Sequence, residues 1–140
     1  MCKCENCKHT EFTDITVEIS DGLAKSCDKV VVLECKVCHK LSFEATERQK
    51  LIINTLRNKD LKFRHIIMFG DWAVNEDNDI ININKKCANY FITSDNPVLS
   101  TKEEILAHLK RKDWFDAEQE KALIKALDCA YSNNIHQNSR

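Results

Sequence analysis

Four cysteines near the start of the chain stand in two pairs, each with two residues between its members. Cys4 and Cys7 form the first pair, Cys35 and Cys38 form the second, and 27 residues separate the pairs. Each pair can form a tight turn with both thiolates directed at one ion, and four thiolates complete the closed tetrahedral shell of structural zinc. Such a shell leaves no position for water or substrate. The spacing therefore predicts one structural zinc ion that supplies no catalysis.

Several alternatives use the same region. Four nearby side chains are interpreted as bystanders but could replace a ligand: Cys2, His9, Cys27 and His39. Iron could bind to the same four thiolates. A redox-active Cys-x-x-Cys pair is less favoured, because it does not account for two pairs at the spacing of a zinc ribbon. Cys35-x-x-Cys38-His39 also matches a c-type haem attachment pattern, but that requires export. The first residues lack the apolar segment of a signal peptide, so haem attachment is disfavoured.

The segments between and after the pairs have the alternation of strands. Residues 12–20 place Ile15, Val17 and Ile19 on one face, and Cys27 is expected in the loop that follows. Residues 29–34 form a second strand that leads into Cys35, and residues 40–44 form a short third strand. A hairpin of the first two strands would bring the cysteine pairs together. Because so small a module buries little apolar surface, metal binding would supply part of its folding free energy.

Helical patterns follow at two places. Thr46 can cap a helix over residues 47–58, whose inner face is predicted to carry Leu51, Ile52, Thr55 and Leu56. Ser100 or Thr101 opens a capping box for a helix over 101–111, with Ile105, Leu106 and Leu109 inward. The last helix is predicted over 116–131, and its apolar stripe consists of Leu123, Ile124, Leu127, Ala130 and Tyr131.

Between these helices, strands are predicted over 63–69, 72–74, 79–83 and 89–93. The predicted fold class is therefore α+β. A zinc ribbon, made of a β-hairpin plus a third strand, precedes a small antiparallel sheet with a C-terminal helical pair. The predicted units are a ribbon over 1–45, a connecting helix over 46–59, an α+β module over 60–131 and a frayed tail over 132–140. Cys87 and Cys129 are predicted to be partly buried packing groups.

With its two Cys-x-x-Cys pairs, strand-rich insert and following helix, the ribbon resembles the zinc-binding N-terminal domain of YgiT/MqsA-type antitoxins. The resemblance implies Cys4, Cys7, Cys35 and Cys38 as zinc ligands. In the common zinc knuckle a glycine follows the second cysteine, whereas this chain has Lys8 and His39 at those positions. The antitoxins continue with a DNA-binding helix-turn-helix, which the second half of this chain does not resemble.

The second half is loosely similar to a small module of uncharacterised proteins from Bacteroidota and their phages, which carries no established activity. The similar segments are Phe69–Trp72, Asp79–Ile80, Tyr90–Ile92, His108–Leu109 and Lys112–Phe115. A bias of 16 Lys against 5 Arg is typical of an AT-rich genome, such as that of a bacterium, phage or mobile element.

Charge is arranged in alternating blocks, although the formal net charge is only −1. Such blocks are commonly solvated faces, but basic ones can contact nucleic acid or an acidic partner. The candidate contact residues are Arg57, Lys59, Lys62 and Arg64 in one block, and Lys110, Arg111 and Lys112 in another. Three aromatic residues either close the core or anchor a partner: Trp72, Trp114 and Phe115.

The sequence disfavours several functions. It contains no glycine-rich phosphate loop, His-Glu-x-x-His motif or serine elbow, so we expect no enzyme. The acidic run Glu76–Asp79 lacks the ligand spacing of a calcium loop and is interpreted as a hairpin turn. Acidic residues open the last helix, where a recognition helix would meet phosphates. No segment is apolar enough to span a membrane, and the protein is expected to be cytoplasmic.

These observations predict a non-enzymatic zinc-binding protein that acts by binding a macromolecule. The partner is expected to be a protein or a ribonucleoprotein, with no membrane and no small-molecule substrate. A phage-type or mobile-element-type inhibitor or adaptor fits this description, including one that blocks a host nuclease such as a CRISPR effector. The alternative is a nucleic-acid-binding transcriptional regulator or antitoxin of the zinc-ribbon type.

Overall fold

The computed structural model describes residue 8 and residues 10–87, 90–92 and 101–138, with the backbone alone for residue 91 and residues 131–138. In this part of the chain the strands are β1 (Phe12–Asp21), β2 (Ser26–Cys35), β3 (Leu41–Ser42), β4 (His65–Phe69), β5 (Trp72–Val74), β6 (Ile80–Asn82) and β7 (Phe91–Ile92). The helices are α1 (Glu47–Asn58), α2 (Lys102–Leu109) and α3 (Ala117–Asn138), with a 3₁₀ turn at Lys85–Cys87. The α+β class is confirmed.

One sheet contains all seven described strands, in the order β3-β2-β1-β4-β5-β6-β7. Its neighbours are antiparallel except for β1 and β4, which run parallel with Glu18 opposite His65. The chain makes this parallel pairing by returning through β2, β3 and α1. The sheet is therefore continuous from the predicted ribbon into the second half of the chain.

Two hydrophobic clusters lie on opposite faces of the sheet. Successive side chains of a strand point to opposite faces, and β4 divides in this way: Ile66 and Met68 belong to one cluster, Ile67 and Phe69 to the other. The first cluster packs β1, β2 and β4 against α1. The second packs β4, β5 and β6 against α2 and α3.

Helix α1 begins and ends where the sequence predicts. The hydroxyl of Thr46 accepts a hydrogen bond from the Gln49 N–H at 3.1 Å, and the Gln49 side chain accepts one from the Thr46 N–H. One inward position was predicted wrongly, because Leu51 is exposed and Ile53 is fully buried. The buried face therefore consists of Ile52, Ile53, Thr55 and Leu56, and differs from the predicted face only by this one exchange.

The C-terminal helical pair is also present. Thr101 caps α2 by accepting a hydrogen bond from the Glu104 N–H, whereas Ser100, the other predicted cap, lies outside the described residues. In α3 the predicted inward residue Ile124 is exposed, and Ala126 is buried in its place. The helix continues to Asn138, past the end predicted near residue 131.

The turn between β1 and β2 depends on Gly22. Its N–H donates to the Met68 carbonyl at 2.8 Å, which brings the turn against β4. A Cβ on Gly22 would lie 2.7 Å from Cζ of Phe69, a core residue, and closer still to Cε1. Asp21 closes the turn by accepting hydrogen bonds from the N–H groups of Ala24 and Leu23, and these two bonds lower the pKa of its carboxyl.

Replacing Gly22 by Ala should reduce the free energy of unfolding by about 1–3 kcal/mol, since the Phe69 ring must shift out of its packed position. Urea denaturation monitored by circular dichroism measures this change. The control is Leu23→Ala in the same turn, where the exposed side chain should contribute less than about 0.5 kcal/mol. Equal stability of the Gly22→Ala variant and the wild type would contradict the close packing of this turn.

Candidate metal centre

The second cysteine pair lies in the turn that joins β2 to β3. Cys35 is the last residue of β2 and is fully buried, and Cys38 is half-buried in the turn. Two backbone hydrogen bonds close this turn: the Cys35 N–H donates to the Lys40 carbonyl at 3.0 Å, and the His39 N–H donates to the Cys35 carbonyl at 2.9 Å. The turn therefore holds the two cysteines close to each other at one end of the sheet.

The register of the β1–β2 hairpin determines which residues meet this turn. Phe12 pairs with Cys35, and the next residue along β2, Lys36, donates its N–H to the Glu11 carbonyl at 3.0 Å. The chain therefore enters β1 beside the second cysteine pair. Cys4 and Cys7 lie in the segment that leads to this point but outside the described residues, as do the alternative ligands Cys2 and His9.

The backbone after each pair has the conformation that a glycine would supply. Lys8 has φ 67° and His39 has φ 64°, so both are in the left-handed region. An ordinary residue there costs about 1–2 kcal/mol relative to right-handed backbone. Although Lys8 and His39 stand where a common zinc knuckle has glycine, both positions have a backbone conformation that glycine favours. This agreement supports a fit between the chain and a two-knuckle metal site.

Within the described ranges, no group of three or more His, Cys, Asp or Glu side chains is placed to hold a metal ion. Only Cys35 and Cys38 of the four predicted ligands fall in those ranges, so a complete shell requires Cys4 and Cys7. Thiolates are soft donors that suit zinc. The four-cysteine zinc site therefore stays a prediction. Two of its four ligands, Cys35 and Cys38, lie in a tight turn of the kind that a zinc knuckle requires.

The other cysteines are less suited to replace a ligand. Cys27 lies in β2, not in the preceding loop as predicted, and eight positions along a strand place it about 26 Å from Cys35. Burial, together with nearby Asp71 and Asp116, raises the pKa of the Cys87 thiol, and burial raises the pKa of Cys129. Cys87 is only 2% exposed, and Cys129 is partly buried against the second hydrophobic cluster, so both lie where packing groups are expected. That prediction is confirmed.

A cavity of about 520 Å³ opens beside the second cysteine pair. Its apolar lining comes from Ile15, Leu61 and Phe63. Its lining also includes three of the candidate contact residues, Arg57, Lys62 and Arg64, and the His39 side chain from the cysteine turn. We call this cavity the knuckle groove. The structure therefore brings part of the first basic block together next to the predicted metal site, whereas Lys59 is exposed and lies outside the lining.

Three carboxylates also line the groove, those of Glu34, Asp60 and Glu76, and the first and last of them are engaged. Glu34 Oε2 lies 3.3 Å from the Arg57 guanidinium. Glu76, from the predicted acidic turn, accepts backbone N–H groups of Arg64 and His65, both at 3.3 Å. Among the described residues, no carboxylate forms an ion pair with the side chain of Lys62 or Arg64. These two exposed cations are therefore available to a partner.

The second basic block does not join this groove. Lys110 forms an ion pair with Glu120 at 3.4 Å, and Arg111 and Lys112 are exposed between α2 and α3. This block belongs to the helical pair, whereas the knuckle groove lies by the end of α1. The structure therefore separates the two sets of candidate contact residues.

The three aromatic residues that the sequence left as either core residues or partner anchors lie in or against the second hydrophobic cluster. Trp72 is fully buried, so it closes the core and cannot anchor a partner. Its Nε1 has no hydrogen-bond acceptor in the part of the chain that the structure describes. Trp114 and Phe115 are half-buried, and the Trp114 ring lies 6.4 Å from that of Trp72 and 6.0 Å from that of Phe115. All three therefore contribute to core packing.

No protein-family model, curated protein or solved structure matches this chain significantly. The resemblance to antitoxin ribbons therefore rests on the cysteine spacing and the elements around it. No helix among the described residues is both long and apolar enough to cross a membrane.

Replacing Cys35 by Ser should reduce zinc binding below one ion per chain and lower the melting temperature, because a missing thiolate opens the metal shell. Zinc is measured by elemental analysis, and melting by circular dichroism. Cys27→Ser is the matched control, since it removes an exposed thiol from the same strand. A Cys35→Ser variant with full zinc content and unchanged melting would refute the ligand assignment.

Proposed function

We propose that this is a non-enzymatic zinc-ribbon protein that acts by binding a macromolecular partner, with a protein or ribonucleoprotein ranked first. Zinc on Cys4, Cys7, Cys35 and Cys38 would hold the ribbon in place. The observation that supports binding is the knuckle groove. It combines an apolar lining with two cations, Lys62 and Arg64, that form no ion pair with a carboxylate among the described residues, and it lies beside the turn that the metal would stabilise.

The chemistry of the groove favours a protein surface. Leu61 and Phe63 are half-buried and offer apolar contact, while Lys62 and Arg64 alternate with them along the chain and are exposed. Apolar contact flanked by charge is the usual composition of a protein interface, and the charges contribute mainly to association rate and specificity. Because the lining combines Lys62 and Arg64 with the Asp60 carboxylate, the partner that matches this groove is a partly apolar surface of mixed charge.

In the setting of a phage or mobile element, such a protein would act as an inhibitor or adaptor on a host complex. A host nuclease, including a CRISPR effector, is one such target. This part of the proposal rests on composition and on the absence of recognised catalytic motifs in the sequence.

The second candidate function is nucleic-acid regulation, as in antitoxins of the zinc-ribbon type. The same two cations favour it, because Lys and Arg side chains neutralise backbone phosphates. The acidic start of α3 disfavours contact by the helical pair, since Glu118 is exposed there. Nucleic acid would therefore bind through the knuckle groove as well.

The double variant Lys62→Glu/Arg64→Glu should weaken binding of the native partner at least about tenfold, because it reverses both available charges. Partner capture from extracts of the source organism, followed by titration with the purified partner, measures the loss. The control variant Lys121→Glu/Lys125→Glu reverses two exposed charges on α3 and should bind normally. Equal binding by the groove variant and the wild type would refute the groove as the contact surface.

Retention on labelled single-stranded and double-stranded oligonucleotides separates the two functions. If nucleic acid is the partner, binding should fall steeply with salt, and the groove variant should reduce the slope of log K against log salt by about two. If a protein is the partner, neither oligonucleotide should bind at physiological salt. Tight, salt-sensitive oligonucleotide binding would place nucleic acid ahead of protein as the partner.

A further inference from the structure

Helix α1 carries two arginines that make matching contacts at opposite ends of the helix. Arg48 donates to the Gly70 carbonyl at 2.5 Å and lies 3.3 Å from Asp71 Oδ1. Arg57 donates to the His39 carbonyl at 2.5 Å and lies 3.3 Å from Glu34 Oε2. Each guanidinium therefore joins one carboxylate and one turn carbonyl.

The backbone that each arginine contacts is also alike. Gly70 has φ 61° and His39 has φ 64°, so both carbonyls belong to residues in the left-handed region. Glycine adopts that region at no steric cost, whereas the Cβ of histidine makes the same conformation less favourable. His39 therefore needs support from its surroundings more than Gly70 does, and the Arg57 guanidinium is a direct source of it.

The two partners of Arg57 bracket the second cysteine pair. Glu34 immediately precedes Cys35, and His39 immediately follows Cys38. One guanidinium thus ties the two ends of the Cys35–Cys38 segment to the last turn of α1. Arg57 and Glu34 have only 31% and 28% of their side-chain surface exposed, so solvent screens this contact less than it screens a surface pair.

We propose that Arg57 is a positioning residue for the zinc site: it fixes the Cys35–Cys38 turn so that both thiolates face the ion. This inference rests on the zinc site proposed above. Arg57 does not itself bind the metal. It acts through the turn, as do the outer-shell groups of other metal sites, whose removal commonly weakens metal binding 10–100-fold.

The test measures the zinc affinity of the full-length protein by competition with a chromophoric chelator. Arg57→Ala should weaken zinc binding about 10–100-fold. Arg48→Ala is the matched control, because it removes the same pair of contacts from the same helix away from the cysteines. Its zinc affinity should stay within about twofold of the wild type.

Two further readouts separate positioning from a general loss of stability. Arg57→Lys retains the charge but loses the forked geometry, so its zinc affinity should lie between those of the wild type and Arg57→Ala. In the cobalt-substituted protein, Arg57→Ala should alter the visible ligand-field spectrum, whereas Arg48→Ala should leave it unchanged. If Arg57→Ala does not fold, the zinc affinity and the cobalt spectrum are both measured on Arg57→Lys.

The inference is overturned if Arg57→Ala binds zinc as tightly as the wild type. It is also overturned if Arg48→Ala loses as much affinity, because the effect would then reflect helix docking alone. A wild-type protein that binds no zinc would instead refute the proposed zinc site. The wild-type titration therefore distinguishes failure of the zinc site from failure of the role given to Arg57.

Discussion

The register between β1 and β2 is the constraint on which the rest of the structure depends. It pairs every residue of β1 from Phe12 to Asp21 with one of β2, and Val17 opposite Val30 lies in the first hydrophobic cluster. A slip of one residue would turn this apolar face away from α1. The same register sets Phe12 beside Cys35, so the packing of the core also determines where the two cysteine pairs can meet.

Helix α1 links this hairpin to the remainder of the sheet. It packs Ile52, Ile53 and Leu56 into the first cluster, and its arginines hold turns at two places along the sheet. The knuckle groove lies where α1 ends and the chain turns towards β4. Its shape is therefore set by elements that also hold the second cysteine pair. Bound zinc would then support partner binding indirectly, by stabilising the elements that hold both the second cysteine pair and the knuckle groove.

Much of the secondary structure could be predicted from local patterns. Alternation identified β1, the capping box at Thr46 fixed the start of α1, and the cysteine spacing marked the β2–β3 turn. The parallel pairing of β1 with β4 could not be predicted, because it joins segments far apart in sequence and has no local signal. The same is true of Arg57, whose contacts with Glu34 and His39 depend on how α1 docks. Burial of Trp72, in contrast, was one of two alternatives that the sequence left open.

The central claim is that one zinc ion holds the N-terminal ribbon. Native mass spectrometry of the wild-type protein, purified without chelator, tests it most directly, with a melting curve before and after metal removal. We expect one zinc per chain and a melting temperature that falls when the metal is removed and recovers when zinc is restored. A metal-free protein that melts at the same temperature with and without added zinc would contradict the claim.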